Sequence, residues 1–169
     1  MAFFKRACDA DNQGACAELG RAMVLGEGTP KNTTEAVRLL GAACSDDEQK
    51  ACDLLGMVNR DGLGVPKSAQ RAVTFFTNAC KAGFQQGCEN LGLQYQKGEG
   101  VPKDVAKAIG LFNKACDEGV PDGCFDMGEV YERGEGVSKD VERGKTFYRK
   151  ACDGGLGKAC DAARRLGNR

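Results

Sequence analysis

The chain has no histidine and no tryptophan. The missing imidazole excludes Ser-His-Asp and Cys-His nucleophile pairs, histidine-ligated zinc and imidazole acid–base catalysis together. An excess charge of either sign is also missing. Lys and Arg total 24, as do Asp and Glu, so there is no basic footprint for nucleic acid or for an anionic membrane. No apolar run approaches the roughly 18 residues that a bilayer span requires. The opening Met1-Ala2-Phe3-Phe4-Lys5-Arg6 lacks the long apolar core of a signal peptide, so a mature or trimmed chain is expected. Aromatics are only 7% of the 169 residues, but 41% are hydrophobic, enough for the core of one ordinary domain.

What the chain does have is cysteine and repetition. Ten cysteines fall at 8, 44, 80, 116 and 152, and at 16, 52, 88, 124 and 160. Both series have a period of 36, offset by eight. Other columns keep the same period: Gly20, Gly56, Gly92 and Gly128; Gly26, Gly62, Gly98 and Gly134; Gly28, Gly64, Gly100 and Gly136; Lys31, Lys67, Lys103 and Lys139. Such a period marks a repeat array. Within a repeat, Cys88, Leu91, Gly92 and Tyr95 share one helical face, which predicts a helix A over 85–97. The Gly98-to-Pro102 loop breaks it, Asp104 is a candidate N-cap, and helix B is predicted over 105–117. Gly92, costly inside a helix, implies close helix–helix approach, with Ala108 expected opposite.

The expected organisation is one repeat domain over 1–169 with ten helices. Residues 1–12 form half a repeat, a helix B in which Phe3 and Phe4 are partly exposed. Whole repeats follow at 13–48, 49–84, 85–120 and 121–156, and a polar capping helix at 157–169. A short turn joins each helix B to the next helix A and brings the inward cysteines near disulfide distance. The expected pairs are Cys8–Cys16, Cys44–Cys52, Cys80–Cys88, Cys116–Cys124 and Cys152–Cys160. Paired thiols point to an oxidising compartment, secreted or periplasmic; the alternative is a cytoplasmic protein with reduced thiols. No metal and no cofactor is expected, because zinc favours Cys-x2–4-Cys and a solenoid keeps successive pairs a repeat apart.

The frame running from Leu91-Gly92-Leu93-Gln94-Tyr95 through Gly98-Glu99-Gly100-Val101-Pro102-Lys103-Asp104 to Ala115-Cys116 resembles the Sel1-like repeats, relatives of the tetratricopeptide repeats. The added Cys-x7-Cys is similar to the cysteine-rich subgroup typified by the Helicobacter cysteine-rich proteins. The resemblance implies an all-α fold, an α/α right-handed superhelix with one disulfide per hairpin, and export. Two other functions come with it. One is a β-lactamase or penicillin-binding label carried by some members. The other is an assembly factor of the mitochondrial intermembrane-space type. A serine β-lactamase requires Ser-x-x-Lys, and none of Ser45, Ser68 or Ser138 has a lysine three residues on.

The recurring Gly-x-Gly is read as a turn, because a helix and not a strand precedes it. The Lys column is read as solvated charge. The candidate ligand groove is the concave face of the A helices, with Glu18, Arg21, Leu54, Val58, Asn90, Gln94, Asp126, Glu129 and Arg133 off the packing stripe. Amide side chains can pair with a peptide backbone and arginine with a carboxylate. The expected partner is a protein or extended peptide bound by a monomer, with no nucleic acid and no membrane insertion.

Overall fold

The computed structural model describes residues 2–167. Ten helices follow one another, with no strand among the described residues. They are α1 (Ala2–Asp9), α2 (Gln13–Leu25), α3 (Thr33–Ser45), α4 (Gln49–Asp61), α5 (Ala69–Lys81), α6 (Gln85–Lys97), α7 (Val105–Asp117), α8 (Pro121–Arg133), α9 (Val141–Asp153) and α10 (Gly157–Gly167). Even-numbered helices are the A helices and odd-numbered ones the B helices. The chain divides into two compact units, Met1–Gly87 and Cys88–Arg169.

The repeated polar positions explain where the B helices begin. Asn32, Ser68, Asp104 and Asp140 each accept a bond from the backbone N–H three residues on, at 3.2, 3.3, 3.0 and 2.9 Å. Each such cap is worth about 1 kcal/mol. The A helices stop on left-handed glycines: Gly26, Gly62 and Gly134 have φ of 79°, 71° and 73°, and their N–H groups return to Ala22, Val58 and Val130. The loop then closes on its own helix. The N–H groups of Asn32, Ser68, Asp104 and Asp140 donate to the carbonyls of Met23, Asn59, Tyr95 and Tyr131, at 2.8–3.0 Å. One backbone bond thus sets the start of each B helix against the end of its A helix.

Close approach within each hairpin comes from the Leu-Gly column. In the first unit, a Cβ on Gly20 would lie 2.7 Å from Leu40 Cγ, and one on Gly56 would strike the Phe76 ring. In the second unit, a Cβ on Gly92 would lie 2.6 Å from the Phe112 ring and one on Gly128 2.5 Å from the Tyr148 ring. The residue facing Gly92 is therefore Phe112, not Ala108. The glycine makes room for a large ring, which becomes the centre of its core: Phe76, Phe112 and Tyr148 are at most 1% exposed. Tyr148 also donates to Glu132 Oε2 at 2.8 Å, and Arg165 of α10 clamps the same carboxylate at 2.8 and 2.9 Å. Burial, reinforced by the Glu132 bond, pushes the Tyr148 phenol above its usual range.

The B-to-A turns need a residue at positive φ. Asp11 and Asp47 fill that place at 61°, and Gly119 and Gly155 fill it at 86° and 92°. Across these turns the cysteine Cα atoms lie 4.6, 4.7, 4.5 and 4.7 Å apart, and disulfides join Cys8–Cys16, Cys44–Cys52, Cys116–Cys124 and Cys152–Cys160. No described cysteine is free. At the ends, Phe3 is 76% exposed, and Arg169 lies outside the described residues.

Candidate functional site

The two units present different A-helix faces. In the first unit, Glu18, Arg21 and Leu54 are partly exposed. Arg21 holds Glu18 at 3.1 Å and Glu27 at 2.7 Å; these bonds, that to Glu18 foremost, raise the guanidinium further above its ordinary value. Beside this pair lies a cavity of about 160 Å³ between α2 and α4. Its walls are Val24, Leu25, Leu54, Met57, Val58 and Leu63, with Arg21 on the rim. Leu25 is 54% exposed. Sequence reasoning named Arg21, Leu54 and Val58 but not Leu25, Met57 or Leu63. The signal for Leu25 and Leu63 is that the repeat otherwise has Asp61, Lys97 and Arg133, or Glu27, Glu99 and Glu135, at those places; Met57 stands where Arg21 and Glu129 do, but Leu93 shares its column.

In the second unit the same face is polar. Asn90 and Gln94 of α6 and Asp126 of α8 are all buried, and Gln94 is 0% exposed. Both amide atoms of Gln94 lack a hydrogen-bond partner. Glu129 pairs with the more exposed Arg133 at 2.6 Å. The Asp126 carboxyl is pushed up to about 8 by burial first, then by the charge of Glu89 and a hydrogen bond with it. Glu89, itself buried, was not among the sequence candidates.

These burials correct the groove reading at four positions. Val58, Asn90, Gln94 and Asp126 do not lie on an open surface but on a second packing stripe of the A helices. In the first unit this stripe meets the preceding A helix: Val58 faces the cavity shared with Val24 and Leu25. The column Ala22, Val58, Gln94, Val130 and Leu166 is buried throughout, and its four apolar members were the available sign. Glu18, Arg21, Leu54, Glu129 and Arg133 keep partial or full exposure. No group of three His, Cys, Asp or Glu side chains converges as a metal site among the described residues. No helix there is long and apolar enough to cross a membrane.

The Sel1 repeat family model matches four times, at residues 14–47, 49–84, 85–120 and 121–156. The chain belongs to the Sel1-repeat family. Sel1-repeat proteins are in general protein-interaction scaffolds. Solved structures agree with the fold. A protective antigen of uropathogenic Escherichia coli displaying an SLR fold is 30% identical over 94% of this chain, with a TM-score of 0.83. A Sel1 repeat protein from Oxalobacter formigenes is 23% identical over 96% of the chain, with a TM-score of 0.88. This Sel1-repeat chain spans 34% and 64% of the lengths of those two proteins. Helicobacter pylori cysteine rich protein B is 28% identical, over 73% of this chain and 88% of its own, with a TM-score of 0.60. A search of curated proteins gives no match.

Proposed function

We propose that this Sel1-repeat chain is an exported, monomeric interaction scaffold that binds a protein segment or extended peptide on its A-helix face. The observation that carries this reading is the apolar cavity between α2 and α4, with Arg21, itself paired to Glu18, among its lining residues. A volume near 160 Å³ suits one aliphatic side chain, and the rim offers hydrogen bonds to the backbone that carries it. Disulfides across the turns support export to an oxidising compartment.

A peptide array probed with the native chain and with a Leu54→Asn variant tests the reading. Selected peptides should share an aliphatic position and lose binding to the variant; identical profiles for the two proteins would sink it. Persistent turnover of a chromogenic cephalosporin after repurification, lost in the same variant, would replace the scaffold with a β-lactam hydrolase. Thiol titration of the denatured native protein checks the compartment: close to no free thiol is expected, and near-complete reactivity would place the protein in a reducing one.

A further inference from the structure

Three columns of the repeat meet around one ring in the last hairpin. Tyr131 of α8 stacks on Phe147 of α9, with centroids 5.6 Å apart and planes at 6°, and the Arg143 guanidinium carbon lies 4.3 Å from the same tyrosine centroid. The other three repeats hold Met23, Glu35 and Leu39; Asn59, Arg71 and Phe75; and Tyr95, Lys107 and Leu111 in these columns. Tyr95 again has a cation against it, the Lys107 ammonium at 5.1 Å. The second repeat alone keeps the arginine and the phenylalanine but has no ring to lay on them. Its Asn59 turns back on its own helix, donating from Nδ2 to Leu55 O at 2.8 Å, and is only 5% exposed. Beside it is a cavity of about 300 Å³, with Asn59, Arg71, Phe75, Val37 and Val65 in its walls. Arg71 is exposed, and its guanidinium has no carboxylate partner among the described residues. The first repeat lacks this cradle, because Glu35 stands in place of the arginine and pairs with Arg38 at 2.7 Å.

We propose that this cavity binds one aromatic side chain, tyrosine or phenylalanine, of a partner segment, laid against Phe75 and Arg71 as Tyr131 is laid against Phe147 and Arg143. The occupant is read from the chain itself, which closes the equivalent place two repeats on with a tyrosine of its own. The walls suit a ring. Val37 and Val65 supply apolar contact, Phe75 offers a face for offset stacking, and a guanidinium is drawn to the face of an aromatic ring. Arg71 has no ion pair to give up when it makes that contact. An aliphatic side chain would gain the same burial but neither aromatic attraction, so the site selects for a π face. The cavity shares no lining residue with the one between α2 and α4, and the proposal stands apart from the groove reading.

The test compares two probes by NMR titration of the native chain. One is p-cresol, the tyrosine side chain as a free molecule; the other is 4-methylcyclohexanol, of similar size but without a π face. p-Cresol should shift the Asn59 side-chain amide and the Gly41 backbone amide, both at the cavity wall, to saturation. The cyclohexanol should bind at least about fivefold more weakly. Arg71→Ala, at an exposed position, should weaken p-cresol by about threefold to tenfold and change the cyclohexanol less. Asn59→Tyr, which places at 59 the residue found at 95 and 131, should abolish p-cresol binding. Equal affinity for the two probes, or p-cresol binding retained by a folded Asn59→Tyr protein, overturns the site; if that variant does not fold, the probe pair and Arg71→Ala decide. A random peptide array then identifies the source of the ring. Selected peptides should share a tyrosine or phenylalanine, lose binding to Asn59→Tyr and keep it to Leu54→Asn. A chain that binds p-cresol but selects no ring-bearing peptide takes a free phenol, which overturns the partner segment. So does a dimer in sedimentation that Phe3→Ala dissolves, since the occupant is then a second copy of this chain.

Discussion

The first unit and the second are made from the same hairpin, yet their A-helix faces differ in kind. Between α2 and α4 the face is aliphatic and open, with Leu25, Leu54 and Met57 around a cavity. Between α6 and α8 it is acidic, with Glu89 and Asp126 buried and Asp122 and Glu129 partly exposed and ion-paired. Behind these faces nothing comparable changes: the glycine under a large side chain, the capped B helix and the left-handed turn recur in both units. The scaffold is set by columns that cannot vary without a clash. The chemistry of the A-helix faces is left to columns that can.

The largest expected effects fall on the shared part. Gly56→Ala and Gly128→Ala should each cost about 2–3 kcal/mol in urea unfolding, because the added methyl meets a rigid ring. Gly20→Ala should cost less, since Leu40 can change rotamer. Equal losses at all three would break the claim that ring rigidity, not the glycine itself, sets the penalty. Next comes the stripe that the units share in position but not in chemistry. Gln94→Leu gives α6 an apolar residue in the column that holds Val58, Val130 and Leu166, and removes two unpaired buried amide atoms. It should stabilise by about 1–2 kcal/mol. A loss of stability would show that the amide is satisfied where the apolar column predicts it is not.

The acidic face should also show itself through pH. Asp126 binds a proton more tightly in the folded chain, at about 8, than at the ordinary carboxylate value of 3.8. Between those values the folded state holds more protons than the unfolded one. The contribution is therefore fully present below about pH 4, is lost progressively as pH rises towards about 8, and is flat above that. Asp126→Asn should flatten this part of the stability profile, measured by urea unfolding between about pH 4 and pH 8. The smallest effect concerns the turns. Asp47→Gly, which puts into the first unit the residue that the second uses at Gly119 and Gly155, should stabilise by a few tenths to about 1 kcal/mol by thermal unfolding. Gly119→Asp should do the reverse.

The fold was legible because its determinants are periodic and local. The bounds of α6 and α7, the caps at Asn32, Ser68, Asp104 and Asp140, and the positive-φ glycines each follow from a few neighbouring residues. The groove was less legible. An A helix touches its own B helix through the Gly92 face, which the repeat marks plainly. It also packs along a second stripe, whose residues vary in polarity. Val58 and Gln94 occupy one column of that stripe, and period alone cannot say that both are buried. Glu89 escaped notice for the same reason: a carboxylate reads as surface until a second one is found facing it.

The disulfides also govern how the chain survives cutting. Each observed bridge spans one B-to-A turn, and the exposed residues at the tips, Asp11, Asp47, Gly119 and Gly155, lie inside the closed ring. A protease that cleaves there opens the backbone but releases nothing, because the cystine still joins the two pieces. A cut in the Gly-x-Gly loops, which lie outside the rings, severs the chain. Partial digestion should therefore look lossless on a non-reducing gel for one class of turns and fragmenting for the other. At these exposed turn tips, a nick has the least consequence for the integrity of the chain.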